Sequence, residues 1–282
     1  MKPITYLEPE TVDEACEQLD RHGHDAVVLA GGQSLLQILK RRLVQADYVV
    51  DITAIDDLHE LGKSDESFRI GAAVPYVDIV QHPVARSQIP GLAEAIETIG
   101  DHQIRCRGTF VGGIAHADPQ GDPPIIATAL DAEFHIASVD GTRTVSASEF
   151  YAGLFETDLN QGELITHVEV PLSEDNEIST YQSFTRRMGD YAIAAVALST
   201  SLSNDETMTD PRVVVGAATH GPTRLSSVED SLDDSVLTDD IIDEAAETAR
   251  ENVDATDDEV ATAAYKSHLV GELTRDALES VR

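Results

Sequence analysis

Hydrophobic and polar positions in the opening segment alternate between helical and strand-like spacing. Thr11 followed by Glu14 forms the capping-box pattern of a helix start, and the apolar residues after Thr11 recur at intervals of three and four. A short apolar run at 26–30 predicts a strand, 34–43 again has helical spacing, and 48–52 predicts a second strand. This order predicts a βαβ-like unit at the start of the chain.

The rest of the pattern predicts a mixture of helices and strands with one long interruption. The predicted strands are 67–72, 133–139, 164–170, 192–201 and 212–218, and the predicted helices are 79–84, 92–99, 239–251 and 257–269. Segment 100–124 is rich in Gly, Pro, Asp and His and has no period, so we predict a long ordered loop there. Its apolar residues favour a functional loop over a disordered one. Pro171 and the polar run 173–177 predict a domain boundary.

Composition adds a large negative charge. Of the 282 residues, 52 are Asp or Glu and 19 are Lys or Arg, so the formal net charge is −33. This charge repels phosphates and anionic lipids and argues against nucleic-acid or membrane binding. Because lysine is scarce, we favour a halophilic source, in which salt screens the self-repulsion. The alternative is an ordinary acidic protein with one acidic tail.

Other compositional features favour a soluble globular protein. At 41% hydrophobic residues, the chain can bury a core and form one large or two ordinary domains. It has no apolar run long enough to span a membrane, and its first residues lack the apolar core of a signal peptide. Two cysteines cannot hold an ordinary iron–sulfur cluster and make a disulfide framework improbable. We therefore expect a cytoplasmic protein.

The strongest local signal is the segment 28–35. A predicted strand ends there in Gly31 and Gly32, and a predicted helix follows. Backbone N–H groups at such a junction can bind a phosphate, and glycine permits positive φ and close approach of the backbone. A purely structural turn is the alternative.

A second segment has similar character. Thr109 precedes Gly112 and Gly113, whose small size exposes backbone donors, and Asp122 follows with a carboxylate suited to ribose or ribityl hydroxyls. Together with the first segment, this suits a diphosphate-bridged cofactor held between two lobes. The alternative is a metal site formed by His116, Asp118 and Asp122.

Four blocks resemble one known family in order and spacing. The segments 30–36, 103–109, 115–119 and 185–192 are similar to signatures of the FAD-binding medium subunit of molybdenum hydroxylases. That family includes aerobic carbon monoxide dehydrogenases and xanthine dehydrogenases. The resemblance spans nearly the whole chain.

The resemblance implies a set of FAD-binding residues. They are Val28, Leu29, Ala30, Gly31, Gly32, Gln33, Ser34, Leu35, Ile99, Thr109, Gly112, Gly113, Asp122, Ile165 and Tyr191. The first eight would surround the FAD diphosphate, mostly through backbone atoms, and Thr109, Gly112 and Gly113 would form the second loop. Asp122 would bind cofactor hydroxyls, while Ile99 and Ile165 would make apolar or backbone contacts. Tyr191 would pack near the isoalloxazine, with simple core packing as the alternative.

The resemblance also implies the architecture. We expect an α+β protein with a two-lobed FAD-binding domain of the vanillyl-alcohol-oxidase-like type at 1–172, its lobes at about 1–55 and 56–172. A small domain of antiparallel sheet plus helices would follow at 173–282.

The function implied is electron transfer. A large subunit with a molybdenum cofactor would oxidise the substrate, and a small subunit with two [2Fe–2S] clusters would pass electrons to FAD in this chain, in a heterotrimer or its dimer. An external acceptor would then receive them. No residue of this chain is expected to act in catalysis as an acid or base, and no metal is expected in it.

One departure from the family pattern leaves rival functions open. Val111 stands where the family usually has the first glycine of the second loop, and a positive φ there would be costly for valine. A flavin-free assembly subunit of the same type of complex is therefore one alternative. Independently of Val111, a metal-dependent hydrolase that uses His116, Asp118 and Asp122 is the second alternative.

Overall fold

The N-terminal part of the chain forms a small parallel sheet. The computed structural model describes residues 4–64, 66–172, 176–203 and 205–282. Its first strands and helices are β1 (Thr5–Leu7), α1 (Val12–His22), β2 (Ala26–Leu29), α2 (Leu35–Arg41) and β3 (Tyr48–Asp51). The strand order is β1-β3-β2, with both pairings parallel. The predicted βαβ-like unit is confirmed, and Thr11 caps α1 by accepting from the backbone N–H of Glu14.

A second lobe is built on a five-stranded antiparallel sheet. Its strands are β4 (Leu61–Lys63), β5 (Ser67–Gly71), β6 (Glu133–Ser138), β7 (Gly141–Ser146) and β10 (Leu164–Pro171), and β8 (Tyr151–Gly153) and β9 (Glu156–Thr157) form a separate hairpin. The order is β4-β5-β10-β6-β7. Alternate residues such as Phe68, Phe134 and Val168 are fully buried on one face, so the other face is polar.

Helices connect the strands of the second lobe. They are α3 (Tyr76–Gln81), α4 (Pro83–Gln88), α5 (Pro90–Thr98), α6 (His102–Arg105), α7 (Phe110–His116), α8 (Asp122–Ala129) and α9 (Ala147–Phe150). The predicted helix 79–84 is wrong as a single element, because His82 is extended before Pro83 and two helices meet there. The predicted loop 100–124 is also wrong. Asp101 and Thr109 cap short helices in it, and α8 begins at Asp122.

The C-terminal part pairs an antiparallel sheet with three helices. Its elements are β11 (Glu177–Phe184), β12 (Ala194–Leu202), β13 (Thr207–Gly216), β14 (Thr223–Arg224), α10 (Ser226–Leu232), β15 (Ser235–Val236), α11 (Asp239–Asn252) and α12 (Ala263–Val281). The sheet order is β11-β12-β13-β14, with β15 also on β13. The α+β fold class is confirmed. Of the run 173–177 that predicts the domain boundary, residues 173–175 lie outside the described residues, and Glu177 begins β11.

The last sheet is buried on both faces. Ala195 and Ala197 of β12 join the hydrophobic cluster of the first two lobes, whereas Val196 and Leu198 join a second cluster with α10, α11 and α12. This alternation fixes the C-terminal sheet against the rest of the molecule. None of the helices described here is both long and apolar enough to span a bilayer.

Candidate functional site

The two glycine segments meet backbone to backbone. A Cβ on Gly31 would lie 2.0 Å from the carbonyl oxygen of Arg107 and 2.6 Å from Cα of Gly108, so no larger residue fits without moving the chain. Gly32 has φ of +72°, which favours glycine. The turn after β2 is therefore held against the turn that precedes α7.

The second turn is stabilised by a helix cap. The Thr109 hydroxyl accepts from the backbone N–H of Gly112 at 3.0 Å, which starts α7 at Phe110. Val111 lies inside this helix, buried and without a positive φ. The departure from the family pattern thus brings no left-handed strain, because the cap places Val111 in helical conformation.

A cleft of about 330 Å³ opens between the two turns. The predicted residues that line it are Val28, Ala30, Gly31, Gly32, Gln33, Ser34, Leu35, Thr109, Gly112 and Gly113. Within the described part of the chain, the backbone N–H groups of Gly32, Gln33 and Ser34 have no acceptor. The cleft therefore has backbone N–H groups without acceptors next to space that no side chain fills. This arrangement fits a diphosphate.

A second cavity of about 150 Å³ continues from the first. Gln33, Ser34 and Gly113 line both cavities. The other predicted residues around the second cavity are Ile99, Asp122 and Tyr191. The continuity fits an elongated ligand that spans both lobes. Leu29 and Ile165 line neither cavity, and Ile165 is buried in β10.

Asp122 is held at the first turn of α8. The Tyr181 hydroxyl donates to its Oδ1 at 2.5 Å. Burial raises the pKa of Asp122 to about 6, although this hydrogen bond acts in the opposite direction. Burial and the nearby Asp122 raise the pKa of Tyr181 well above its usual value, so the phenol remains a donor.

Two tyrosines border the cavities in different ways. Tyr191 is 57% exposed, so its side chain is not packed in a core. Tyr76 is buried and lines both cavities, and its hydroxyl lies 2.7 Å from the place of a Cβ on Gly113. Sequence reasoning missed Tyr76 and Tyr181 because both reach the site through tertiary contacts and no local motif marks them.

The proposed metal site of the alternative hypothesis does not assemble. Nε2 of His116 and Oδ2 of Asp118 are 3.9 Å apart, but no cluster of three ligand atoms includes them with Asp122 among the described residues. The metal-dependent hydrolase therefore loses its structural basis.

Comparisons with known proteins agree with this geometry. Residues 2–173 match the family described as FAD binding domain in molybdopterin dehydrogenase, and residues 179–281 match the CO dehydrogenase flavoprotein C-terminal domain. The glyceraldehyde dehydrogenase medium chain of Sulfolobus acidocaldarius is 36% identical over 99% of this chain and 98% of its own. The carbon monoxide dehydrogenase medium chain of Hydrogenophaga pseudoflava is 31% identical over 98% and 96%.

Solved structures give the same result. Carbon monoxide dehydrogenase from Hydrogenophaga pseudoflava, lacking the Mo-pyranopterin moiety, superposes with a TM-score of 0.95 at 31% identity, covering 99% of this chain and 97% of that one. Quinoline 2-oxidoreductase from Pseudomonas putida 86 gives 0.93 at 29% identity, covering 100% and 98%. The chain belongs to the family of FAD-binding medium subunits of molybdenum hydroxylases.

Proposed function

We propose that this chain accepts electrons from the [2Fe–2S] clusters of a small partner subunit and passes them through FAD to an external acceptor. The large partner subunit would carry the molybdenum cofactor, and the three chains would form a heterotrimer or its dimer. Bound FAD supplies the redox chemistry, while the protein supplies binding, orientation and access. The observation that carries the proposal is the cleft between two glycine turns with uncommitted backbone donors.

The two turns have distinct roles in this proposal. Within 28–35, the N–H groups of Gly32, Gln33 and Ser34 would bind the diphosphate, because the close contact of Gly31 with Arg107 leaves that stretch of backbone facing the cleft. Thr109 holds the second turn in place, and Gly112 and Gly113 line the cleft at positions where a Cβ would meet protein atoms within 2.7 Å.

The second cavity would hold the flavin end. Asp122 accepts a hydroxyl of the ligand, since Tyr181 occupies only one of its two oxygens. Ile99 supplies an apolar wall, and the exposed Tyr191 covers the ligand from the C-terminal domain. No side chain of this chain takes part as an acid or base in substrate hydroxylation.

In this proposal the chain divides into two domains. We assign an FAD-binding domain to 1–172, with lobes at about 1–55 and 56–172, and a flavoprotein C-terminal domain to 173–282.

A net charge of −33 suits the cytoplasm of a halophile, where salt screens repulsion between carboxylates.

The test is a charge placed at the proposed diphosphate site. Ser34 precedes α2 and lines both cavities, and its side chain caps no backbone group. Ser34→Glu puts a carboxylate at a helix start, where it does not harm the helix, but it should repel a diphosphate. Titration of the flavin-free chain with FAD in molar KCl should show affinity at least about tenfold weaker, ~1.4 kcal/mol.

Ser227→Glu is the matched control. Ser227 is exposed in the first turn of α10, and the substitution makes the same charge change away from both cavities. It should bind FAD as the parent chain does. Equal weakening by both substitutions would show a general charge effect and would contradict the proposed cleft. A folded parent chain that binds no FAD would favour the flavin-free assembly subunit.

A further inference from the structure

Two imidazoles and one carboxylate cluster on the polar face of the second-lobe sheet. His135 lies on β6 directly opposite His167 of β10, and Glu169 is two residues further along β10 on the same face. The buried residues between them, such as Phe134 and Val168, point to the core. None of the three lines the two cavities of the flavin site.

The potential ligand atoms already lie close together. Glu169 has one carboxylate oxygen 3.9 Å from Nε2 of His135 and the other 3.7 Å from Nε2 of His167, and all ligand atoms lie within 4.8 Å of one another. Bonds of about 2.0–2.2 Å to a common ion place tetrahedral ligands roughly 3.5 Å apart. These separations are close to those of a metal site, and closing it also requires the two rings, stacked 11° from parallel, to turn until both Nε2 lone pairs point at one ion.

The imidazole rings are positioned by neighbouring threonines. The Thr166 hydroxyl donates to the carbonyl of His135 and lies 2.9 Å from Nδ1 of His167, so its oxygen can accept the Nδ1 proton. Thr144 lies 3.3 Å from Nδ1 of His135. With Nδ1 of His167 donating to Thr166, its Nε2 carries no proton, as in histidines that bind metal through one nitrogen and donate from the other; this tautomer requires that Nδ1 not accept from Arg69.

One of these nitrogens has no hydrogen-bond partner among the described residues. Nε2 of His135 is buried and makes no hydrogen bond to any described residue. A buried polar atom without a partner is costly and calls for an explanation. Stacking of the two rings, with centroids 4.1 Å apart and planes 11° apart, leaves this atom beside Nε2 of His167 and the carboxylate of Glu169.

The surroundings also suit a dication. Nη2 of Arg69 can donate to Nδ1 of His167 at 3.3 Å, which opposes a cation and competes with the Thr166 contact, while Nε of the same guanidinium lies 3.0 Å from Oε2 of Glu60. Glu133 faces Glu169 across the β6–β10 pair. Around the cluster, the carboxylates of Glu60, Glu133 and Glu169 thus outnumber the single guanidinium of Arg69.

We propose that His135, His167 and Glu169 bind a divalent first-row transition-metal ion such as Zn²⁺, which links β6 to β10 outside the flavin site. Two nitrogens and one carboxylate oxygen favour this class of ion over Mg²⁺ or Ca²⁺. The Ser67 hydroxyl donates to Oε2 of Glu169 at 3.1 Å and helps to orient the carboxylate.

The test measures Zn²⁺ binding to the full chain by calorimetry after chelator treatment. A Cys106→Ser background removes an exposed alternative, since Sγ of Cys106 lies 3.4 Å from Nε2 of His102. In this background we expect one Zn²⁺ per chain and a higher melting temperature with Zn²⁺. His135→Gln and Glu169→Gln should each weaken binding at least as much as the ~10–100-fold typical of lost outer-shell partners.

His268→Gln is the control, because His268 is exposed on α12. It should leave Zn²⁺ affinity unchanged. Circular dichroism confirms that each variant is folded, and Glu169→Gln is close to isosteric and keeps an acceptor for Ser67. Equal Zn²⁺ uptake by the background chain and the two ligand variants, whether high or absent, would overturn the proposal.

Discussion

At the scale of single residues, the carboxyl group of Asp122, which lines the second cavity, makes stability depend on pH. Its pKa is raised to about 6 in the folded chain, mainly by burial, against an ordinary value of 3.8. Because the folded pKa is the higher one, ionisation opposes folding. The penalty is absent below the ordinary pKa, grows as pH rises towards about 6, and is complete above it.

Asp122→Asn should therefore stabilise the flavin-free protein at neutral pH. Relative to the parent, its free energy of unfolding should increase by up to about 3 kcal/mol between pH 4 and pH 7. The amide oxygen can still accept from Tyr181. Urea unfolding at several pH values measures the difference, and Asp276→Asn on the exposed face of α12 is the control. A pH-independent difference for Asp122→Asn would contradict the raised pKa.

Gly31 shows what a single Cβ would do at the contact between the two turns. In Gly31→Ala the new atom meets the backbone of Arg107 and Gly108, which cannot rotate away. We expect a loss of about 1–3 kcal/mol in the free energy of unfolding, as for overpacked cores.

Gly62→Ala is the matched substitution, since a Cβ there meets nothing within 4 Å and φ is not positive. It should be neutral or slightly stabilising. Denaturant unfolding of both variants compares them directly. Equal stability of Gly31→Ala and Gly62→Ala would mean that the two turns do not pack as described.

At the scale of elements, sequence patterns predicted long regular segments and missed short capped ones. Strand β10 and helix α11 have strong periodicity and were predicted almost to their ends. Helices α6 and α7 have only four and seven residues, too few for a periodic signal, and are defined by the caps Asp101 and Thr109. The glycine turn was predictable from its local pattern, but its contact with Arg107 depends on tertiary structure.

Helix α12 differs from its predicted bounds at both ends. We predicted 257–269, whereas the helix begins at Ala263 because Asp257 and Asp258 accept from backbone N–H groups ahead of it. It continues past Gly271, where a Cβ would lie 2.9 Å from the carbonyl of Ala246. A glycine that reads as a helix end is here needed for close packing of α12 on α11.

The start of α12 depends on an ion pair between the buried Lys266 and the exposed Asp258. Lys266 is 2% exposed and donates to Oδ2 of Asp258 at 2.8 Å and to the carbonyl of Ala217 at 3.0 Å. Asp258→Asn should destabilise the protein by about 3 kcal/mol, because it leaves a buried ammonium without its counter-charge.

The double variant Asp258→Asn/Lys266→Met removes both charges and should recover part of this loss. Unfolding free energies of the parent, the two single variants and the double variant form the thermodynamic cycle. Strictly additive effects would contradict a coupling between Lys266 and Asp258.

At the scale of the whole molecule, charge and architecture act together. The sheet β11-β12-β13-β14 is covered on both faces, so the C-terminal domain supports the wall of the second cavity that carries Tyr191, the proposed flavin end. Carboxylates surround this framework, and a net charge of −33 opposes compaction when salt is low.

The melting temperature should therefore rise with KCl. Raising KCl from about 0.1 M to about 1 M shortens the screening length from about 10 Å to about 3 Å. Calorimetric scans across this range measure the effect, and sorbitol solutions of equal osmolality control for solvent exclusion. A melting temperature that does not change with KCl, or rises equally with sorbitol, would contradict a role for charge screening.

The central claim is that this chain is the flavin-bearing member of its complex. The most direct measurement is the absorption spectrum and FAD content of the full chain, folded in molar KCl and incubated with excess FAD before removal of free ligand. We predict oxidised-flavin bands and one FAD per chain. A chain that is folded by circular dichroism but retains no flavin and shows no binding in a direct titration would contradict the claim.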